Sequence, residues 1–467
     1  MKRMSHYILP MMTGVLLLVA GCSKSEVLTT YTEVKAEAPT SIEFGVYTGE
    51  NAATRTDKNY AIPPNNSSWS TDGNTANTRI PDKATGNGST KGKNNWINGS
   101  NNYIIGVYGY WLDGSEGIDS WATATNSTNL NGLTPNFMSN QPVIHESESV
   151  WSYSPKKYWP NEKANDKVSF FAYYPFQDYD GMEYDNDDLA EHITPPDKTS
   201  TGKNAYTIQF TQNADVDKQI DLMVSSLDTY SKQNLSEKIT FNLRHALSLV
   251  QFHFYFVKDD NSRNKPDGNQ QYNTNDMGGL TAENAQKIEM KINYVTLKNV
   301  VNSGTVTPTV NGNPAWTVNL NSGPYADYTV QIGQTLTWNS SAPTSYPKYT
   351  TGSEVSKQIL MIPQKMREAQ NGHRKSILVN YDLKVTYDDA VISYQGCEDA
   401  RDLVNENYNS YKNFNPDEFA ANTRYIIRIN MGLRGIDFDV VTAGWNDDDG
   451  SPHYIGGDID YDSNDGN

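Results

Sequence analysis

Hydrophobic residues in this chain recur mostly at every second position, within short runs that polar segments separate. In the segment 41–48 (SIEFGVYT), the apolar residues Ile42, Phe44 and Val46 alternate with small or polar residues. A period of two is the pattern of a strand that buries one face. We therefore predict that the first strand of the fold lies at 41–48.

Further strand-like segments, rich in Val, Ile, Phe and Tyr, are separated by clusters of Asn, Gly, Pro and Asp. They lie at 103–110, 168–174, 205–210, 220–225, 238–244, 246–257, 288–301, 315–320, 357–362, 376–387, 424–433 and 435–442. β-Branched and aromatic residues favour strands, and the intervening clusters favour turns. Helical periodicity is confined to 281–289 and a second stretch at 398–412. The pattern predicts an all-β chain.

Polar stretches divide these strands into two groups. Residues 51–102 hold 12 Asn and many Gly, Ser and Thr, which is typical of a long loop or a polar insertion. Residues 258–280 form a second polar break, which we interpret as a linker. We predict two antiparallel β-sandwich domains in series, at 41–257 and 281–445, with long polar loops. An acidic tail, 446–467, follows the second domain.

The first 22 residues have the pattern of an export signal. Lys2 and Arg3 precede an apolar run at 8–20, which is shorter than the ~20 residues of a membrane-spanning helix. The run ends in Val-Ala-Gly-Cys22, which resembles the lipobox of bacterial lipoproteins, where the cysteine is lipidated. We predict a signal peptide at 1–21, a lipid on Cys22 and a polar tether at 22–40.

Charge and cysteine content exclude several classes of function. The net charge is −17, whereas nucleic-acid binding needs Lys and Arg to displace counterions from phosphates. Cys22 and Cys397 are too few and too far apart for a disulfide framework or a zinc site. From Trp445 onward the chain has seven Asp and no Lys or Arg, which is typical of a solvated terminus.

Motifs for catalysis or metal binding are incomplete or missing in the sequence. It contains no G-x-S-x-G elbow and no phosphate-binding loop, and His145-Glu146 has no second histidine four residues later. The stretch Asp460-x-Asp462-x-Asn464 begins like a calcium loop, but Asp465 stands where the turn needs glycine. We predict no enzymatic activity, no cofactor and no metal.

Several short phrases of the sequence occur together in a fixed order. They are Tyr158-Trp159-Pro160, Val168-Ser169-Phe170-Phe171-Ala172-Tyr173-Tyr174-Pro175, Gln219-Ile220-Asp221-Leu222-Met223-Val224, Phe241-x-Leu243-Arg244-His245-Ala246-Leu247-Ser248, Leu360-Met361-Ile362-Pro363-Gln364, and Tyr425-Ile426-Ile427-Arg428-Ile429 leading to Trp445. With the lipobox, they resemble the fimbrillin family (Mfa-like, type V pilin) of Bacteroidales lipoproteins.

This resemblance implies a pilus subunit with two transthyretin-like β-sandwich domains, exported as a lipoprotein to the outer membrane. It also implies that an Arg-specific protease cuts after an arginine that follows the first strand. Arg55, which precedes Thr56, matches that position, and Arg79 is the next candidate. The cut would remove both the lipid on Cys22 and the strand at 41–48.

Loss of that strand would expose an apolar groove with unpaired backbone groups, which a strand of a neighbouring subunit could fill. The partners implied are other fimbrial subunits, either copies of this chain or stalk, tip or anchor pilins. In the family the donor is usually the C-terminal segment. Ile455, Ile459 and Tyr461 share the parity that one face of a strand needs and are our candidate donor anchors. A tail that does not donate would indicate a tip or accessory subunit.

An alternative follows from the aromatic content. The 9 Trp and 30 Tyr could form a platform on which sugar rings stack, although in a sandwich such residues more often fill the core. The alternative function is a glycan-binding β-sandwich lipoprotein that stays anchored in the outer membrane. A surface ligand is not identified by the sequence.

Overall fold

The computed structural model describes most of the chain between the first and the last predicted strand. The described residues are 41–47, 104–112, 134–147, 150–160, 166–177, 191–232, 238–256, 285–310, 312–340, 358–366, 373–403, 418–433 and 435–444. Their regular structure consists of 22 strands and two 3-10 turns, Gly202–Tyr206 and Val216–Lys218. The all-β prediction is therefore confirmed.

The strands of the first half are β1 (Phe44–Tyr47), β2 (Ile104–Leu112), β3 (Met138–Ser147), β4 (Val150–Ser152), β5 (Lys167–Tyr174), β6 (Ile193–Thr194), β7 (Ile208–Thr211), β8 (Met223–Ser225), β9 (Asp228–Tyr230), β10 (Ile239–His245) and β11 (Ser248–Phe256). Those of the second half are β12 (Lys287–Val301), β13 (Ser303–Thr307), β14 (Ala315–Thr317), β15 (Tyr325–Asn339), β16 (Ile359–Met361), β17 (Gln364–Lys365), β18 (Ser376–Thr386), β19 (Val391–Asp402), β20 (Glu418–Phe419), β21 (Thr423–Gly432) and β22 (Gly435–Gly444).

An eight-stranded sheet organises the first half of the fold. Its strand order is β1-β10-β8-β5-β2-β3-β4, with β9 paired to β5. The central strands β2 and β5 are buried along almost their whole length, so both faces of the sheet are covered. Burial on both faces explains why these two strands are nearly continuous hydrophobic runs instead of alternating ones.

Each face of this sheet has its own core. On one face, residues such as Tyr108, Tyr173 and Val224 pack with Phe210 and Val306 of a four-stranded sheet with the order β14-β13-β7-β6. The other face carries a cluster that includes the three apolar residues of β1, described below. The larger and the smaller sheet therefore form two layers, and the first strand belongs to the core on the outer face of the larger sheet.

The second half is a sandwich of two four-stranded sheets. Their strand orders are β16-β11-β21-β22 and β15-β12-β18-β19, and their inner faces share one core. The strand β11 illustrates the packing, because Phe252, Phe254 and Phe256 are buried in this core while the residues between them are partly exposed. This is the period of two on which the strand predictions depend.

Strands on either side of the predicted linker 258–280 pair with each other. β11, which precedes it, pairs in parallel with β21, and β7 pairs with β13. All described residues, from Ser41 onward, belong to one compact unit. The segment 258–280 itself lies outside the described residues, so the boundary between 41–257 and 281–445 stays a prediction.

Both helix predictions are wrong where they fall on described residues. Residues 287–289 begin β12, in which Ile288, Met290 and Ile292 alternate towards the core, and 398–402 belong to β19. In each case a strand partner decides the conformation, because β12 and β19 pair along most of their length with β18. Cross-strand pairing outweighs a short helical period.

Candidate functional site

The first strand packs its apolar side chains on one face. Ile42 and Phe44 are each 1% exposed and Val46 is 0% exposed, whereas Glu43 faces the solvent. The three side chains belong to the core on the outer face of the eight-stranded sheet, together with Trp151, Tyr153, Trp159, Phe170, Phe241 and Leu243. The strand therefore completes a core that later segments of the chain build.

One edge of the first strand pairs with β10 in parallel. Phe44 lies opposite Ile239 and Val46 lies opposite Phe241. Next to this ladder, the backbone N of Ile239 donates to the carbonyl oxygen of Glu43 at 2.9 Å. In a parallel ladder the backbone groups of alternate residues point to opposite sides, so those of Ile42 point away from β10.

The other side of the first strand meets the segment 150–160, which we call the lid segment. The backbone N of Ile42 donates to the carbonyl oxygen of Lys157 at 2.9 Å, and Tyr153 Oη donates to the carbonyl oxygen of Ile42 at 2.8 Å. Ser41 forms an antiparallel bridge with Tyr158. Because β1 and β4 stand at opposite ends of the strand order, these bonds close the sheet on itself. We call the position that the first strand occupies, between β10 and the lid segment, the seam.

The Phe44 ring is the centre of this site. It stacks on Phe241 with centroids 5.3 Å apart, meets Phe170 edge-on at 5.8 Å, and lies 5.3 Å from the ring of Tyr153. Each such aromatic pair stabilises the fold by about 0.5–1.5 kcal/mol in addition to the contribution of the buried apolar area. The pocket of Phe44 is therefore the strongest single anchor point for a strand in this position.

Tyr153 joins the lid segment to the first strand. Its side chain is 5% exposed, and the ammonium of Lys156 lies 4.7 Å from its ring centroid. Burial raises the pKa of the Tyr153 phenol, with a smaller opposing effect from its hydrogen bond to the Lys157 backbone. The phenol therefore stays protonated near neutral pH and can donate to a carbonyl.

The other predicted site residues belong to segments that precede or follow the described strands. Cys22, Arg55, Thr56, Arg79, Ile455, Ile459 and Tyr461 all lie outside the described residues, as do the insertion 51–102 and the tail 446–467. The first strand, β1, ends at Tyr47, so Arg55 follows it in the sequence.

Sequence reasoning missed the lid segment as part of the site. Its Trp151 and Tyr153 are both buried against the first strand's core. The alternation of Trp151 and Tyr153 with serines was the available signal, but a strand as short as β4 gives only one such period.

The histidines and carboxylates of the described ranges form no cluster of three or more metal-ligating side chains. His245 is 2% exposed, and its Nδ1 lies 2.9 Å from an oxygen of Asp221, which is a pairing within the fold. No described helix has the length and apolar character needed to cross a membrane. The chemistry that the first strand and its groove support is non-covalent binding of an extended segment.

Comparison with known proteins places this fold in a family. The family model described as fimbrillin-like matches residues 106–445. A crystal structure of a fimbrial protein from Bacteroides vulgatus is 15% identical, with a TM-score of 0.45, and the match covers 87% of this chain and 99% of that one.

A fimbrial assembly protein from Parabacteroides distasonis is 10% identical, with a TM-score of 0.29, and the match covers 73% of this chain and 87% of that one. No curated protein matches the sequence. The family model spans well over half of the chain and includes every described strand from β3 to β22, whereas β1 precedes the matched range. This chain belongs to the fimbrillin-like family.

Proposed function

We propose that this chain is a structural subunit of a cell-surface fimbria and that it assembles by strand exchange at the seam formed by β1. The observation that carries the proposal is the position of the first strand. Its side chains fill three pockets of a core, and its main chain closes a sheet. It stands at the start of the described fold, and residues 48–103 are its covalent connection to the strands that follow. A cut in that connection would leave the strand held by non-covalent contacts alone.

Burial of apolar side chains at the seam favours assembly. Burial of one aliphatic or aromatic side chain contributes about 1.5–3 kcal/mol, so Ile42, Phe44 and Val46 together contribute roughly 5–9 kcal/mol before the entropy of ordering a strand is subtracted. Without the strand, apolar pockets and a row of backbone groups on β10 are exposed. A strand of a second subunit restores both kinds of contact by β-augmentation.

Maturation in this proposal begins at the outer membrane. The precursor is exported, loses residues 1–21 and carries a lipid on Cys22. An Arg-specific protease then cuts after Arg55, which makes Thr56 the new N-terminus, and Arg79 is the second candidate. The cut separates the lipid and the first strand from the rest of the subunit.

The donor in this proposal is the acidic tail, with Ile455, Ile459 and Tyr461 as candidate anchors. The triplet Ile459-Asp460-Tyr461 repeats the order of apolar, acidic and aromatic residues in Ile42-Glu43-Phe44. In this alignment Tyr461 would enter the pocket of Phe44, and Asp460 would face the solvent as Glu43 does. Should the tail not donate, the subunit would accept a strand at the tip of the fimbria.

Support for strand exchange over glycan binding comes from the placement of aromatic residues. Trp151 and Trp159 are buried in the core around the first strand. Among the exposed large hydrophobic side chains of the described residues, Tyr158 is the aromatic one, and a stacking platform needs several exposed rings.

N-terminal sequencing of protein released from the cell surface tests the proposal. We expect chains that begin at Thr56 within high-mass assemblies. Surface protein that begins only at acylated Cys22 and stays monomeric would contradict assembly by strand exchange and would favour the anchored glycan-binding alternative. Chains that begin at the residue after Arg79 would be consistent with the same mechanism and would place the cut at Arg79.

A further inference from the structure

The first strand is held from the side opposite β10 by a side chain and a loop, where a sheet would normally provide another strand. Both hydrogen bonds of the Ile42 main chain lie on this side: its N donates to Lys157 O, and its carbonyl accepts from Tyr153 Oη. β4 ends at Ser152, one residue before Tyr153. The Tyr153 phenol therefore replaces a backbone N–H as the donor to the strand.

Tyr153 is itself fixed by the lid segment. The backbone N of Lys157 donates to its oxygen at 3.3 Å, so the residue that receives the N–H of Ile42 also orients the phenol. The ring of Tyr153 lies 5.3 Å from the ring of Phe44. A single side chain thus contacts the main chain of one strand residue and the side chain of the residue two positions later.

We propose that Tyr153 is a positioning residue for strand exchange, and that its hydroxyl binds the main-chain carbonyl of whichever strand occupies the seam. This inference rests on the proposed function. Because the bond is to a carbonyl oxygen, it does not depend on which side chain the strand carries at that position. The partner is any extended segment with apolar residues at alternate positions, including one from another subunit.

The bond from Tyr153 also selects the register of the strand, that is, which of its two faces is turned towards the pockets. The carbonyl of Glu43 points to β10, where it accepts from Ile239 N, whereas that of Ile42 points to Tyr153. A strand shifted by one residue would turn its polar side chains into the pockets of Ile42 and Phe44. The bond from Tyr153 and the apolar pockets therefore favour the same register.

A peptide-binding experiment tests the proposal on protein cut after Arg55. The probe is a labelled peptide with the sequence of residues 41–48, and the variants are Tyr153→Phe and, as the matched control, Tyr158→Phe. Tyr158 is in the same segment, but its side chain is 49% exposed and its bridge to Ser41 is made by the main chain, which the substitution leaves in place. We expect Tyr153→Phe to weaken peptide binding about three- to tenfold and Tyr158→Phe to change it less than about twofold. Equal affinities for Tyr153→Phe and wild type would overturn the proposal.

A second peptide separates the positioning role from the identity of the donor. The peptide 458–465 should lose affinity for Tyr153→Phe by the same factor as peptide 41–48, because the bond is to the main chain. A tail peptide that fails to bind wild-type protein would contradict donation by the tail, while the result with peptide 41–48 would still decide the role of Tyr153.

A measurement on the uncut chain keeps the test independent of strand exchange. In the full-length protein, we expect the amide hydrogen of Ile42 to exchange several-fold faster in Tyr153→Phe than in wild type or Tyr158→Phe. Unchanged exchange at Ile42 would overturn the proposal even if no peptide bound. Thermal unfolding of the three proteins shows whether the Phe variants fold as wild type does.

Discussion

The ring of Phe44 stacks on the ring of Phe241, with centroids 5.3 Å apart and an angle of 29° between the planes. The contact is diagonal, because Phe241 is the ladder partner of Val46. Diagonal neighbours across a strand pair are within reach of aromatic side chains. The Phe44 ring therefore packs against a residue of β10 other than Ile239, its direct ladder partner.

Phe44→Ala should destabilise the uncut protein strongly. Removal of a buried phenylalanine leaves a cavity and costs about 3–5 kcal/mol in the free energy of unfolding. Urea denaturation, followed by tryptophan fluorescence, measures this difference. Glu43→Ala, in the same strand but facing the solvent, is the control, and its effect should stay within about 0.5 kcal/mol. Similar effects of both substitutions would mean that the pocket does not anchor the strand.

Arg55→Ala should prevent assembly. The proposed protease requires arginine before the cut, so the variant should keep its first strand and remain monomeric where wild type forms high-mass ladders. Gel electrophoresis without boiling, followed by N-terminal sequencing of each band, distinguishes the two forms.

Arg79→Ala serves as the control for cutting at Arg55 and should assemble as wild type does. Ladders that persist in Arg55→Ala but disappear in Arg79→Ala would move the cut to Arg79. Ladders that persist in the double variant would refute processing at either arginine.

Gln364→Ala should destabilise the second half of the fold. The buried Gln364 side chain imitates a strand partner: its Nε2 donates to the carbonyl of Val301 at 2.8 Å, and its Oε1 accepts from the Val301 N at 3.1 Å. The substitution leaves two buried backbone groups of Val301 unpaired, at a cost of about 2–4 kcal/mol.

Chemical denaturation of Gln364→Ala measures that cost, and Gln331→Ala provides the control. Gln331 is exposed on β15. We expect a change for Gln331→Ala below about 0.5 kcal/mol. A midpoint for Gln364→Ala equal to that of wild type would show that water replaces the side chain at no cost.

Asp382 should make the second half of the fold less stable in acid. Its Oδ1 accepts from the Gly396 backbone N at 2.9 Å and from Asn293 Nδ2 at 3.2 Å. The bond from Gly396, followed by that from Asn293 and the charge of Lys291, lowers the pKa of Asp382 below its usual 3.8. A carboxyl whose pKa is lower in the folded state stabilises the fold above its unfolded pKa, and this contribution is lost as the pH falls through the folded value.

Asp382→Asn should therefore lower the free energy of unfolding at neutral pH by about 0.5–1 kcal/mol, since the site is partly exposed. The difference from wild type should shrink as the pH falls below about 4. Urea denaturation between pH 7 and acid measures it, with Asp389→Asn, an exposed residue of the turn between β18 and β19, as control. A difference that does not change with pH would exclude the carboxylate as its cause.

The strands that sequence predicts best are those with several buried apolar residues, whether one face is buried or, as in β2 and β5, both. β10, β11, β12, β18, β21 and β22 all lie within one or two residues of their predicted bounds. In β10 and β11, for example, apolar residues alternate because burial is alternate. The three anchors of the first strand are apparent in the sequence for the same reason.

Strands with few buried residues escape prediction from sequence. β15 has 15 residues, yet only Ala326, Tyr328, Val330 and Leu336 are buried, and Thr and Gln occupy many of its other positions. Its conformation is determined by its long ladder with β12. β3 contains Pro142, which is a signal against an inner strand, although β3 lies between β2 and β4.

The contacts of the lid segment depend on long-range closure that no local pattern contains. Tyr153 and Ile42 are 111 positions apart in the chain, and their hydrogen bond forms only because the sheet closes on itself. A local period predicts which side chains are buried, but it does not say which segment covers them.

The placement of β11 between β16 and β21 determines how the subunit responds to stress. Both neighbours of β11 come from later in the chain, and β13 returns to pair with β7. Neither half can lose its structure without leaving a strand of the other half unpaired. Unfolding of the described fold should therefore be cooperative, with one transition in place of two. A pulling force on the described fold should therefore meet one cooperative unit, since neither half can yield before the other.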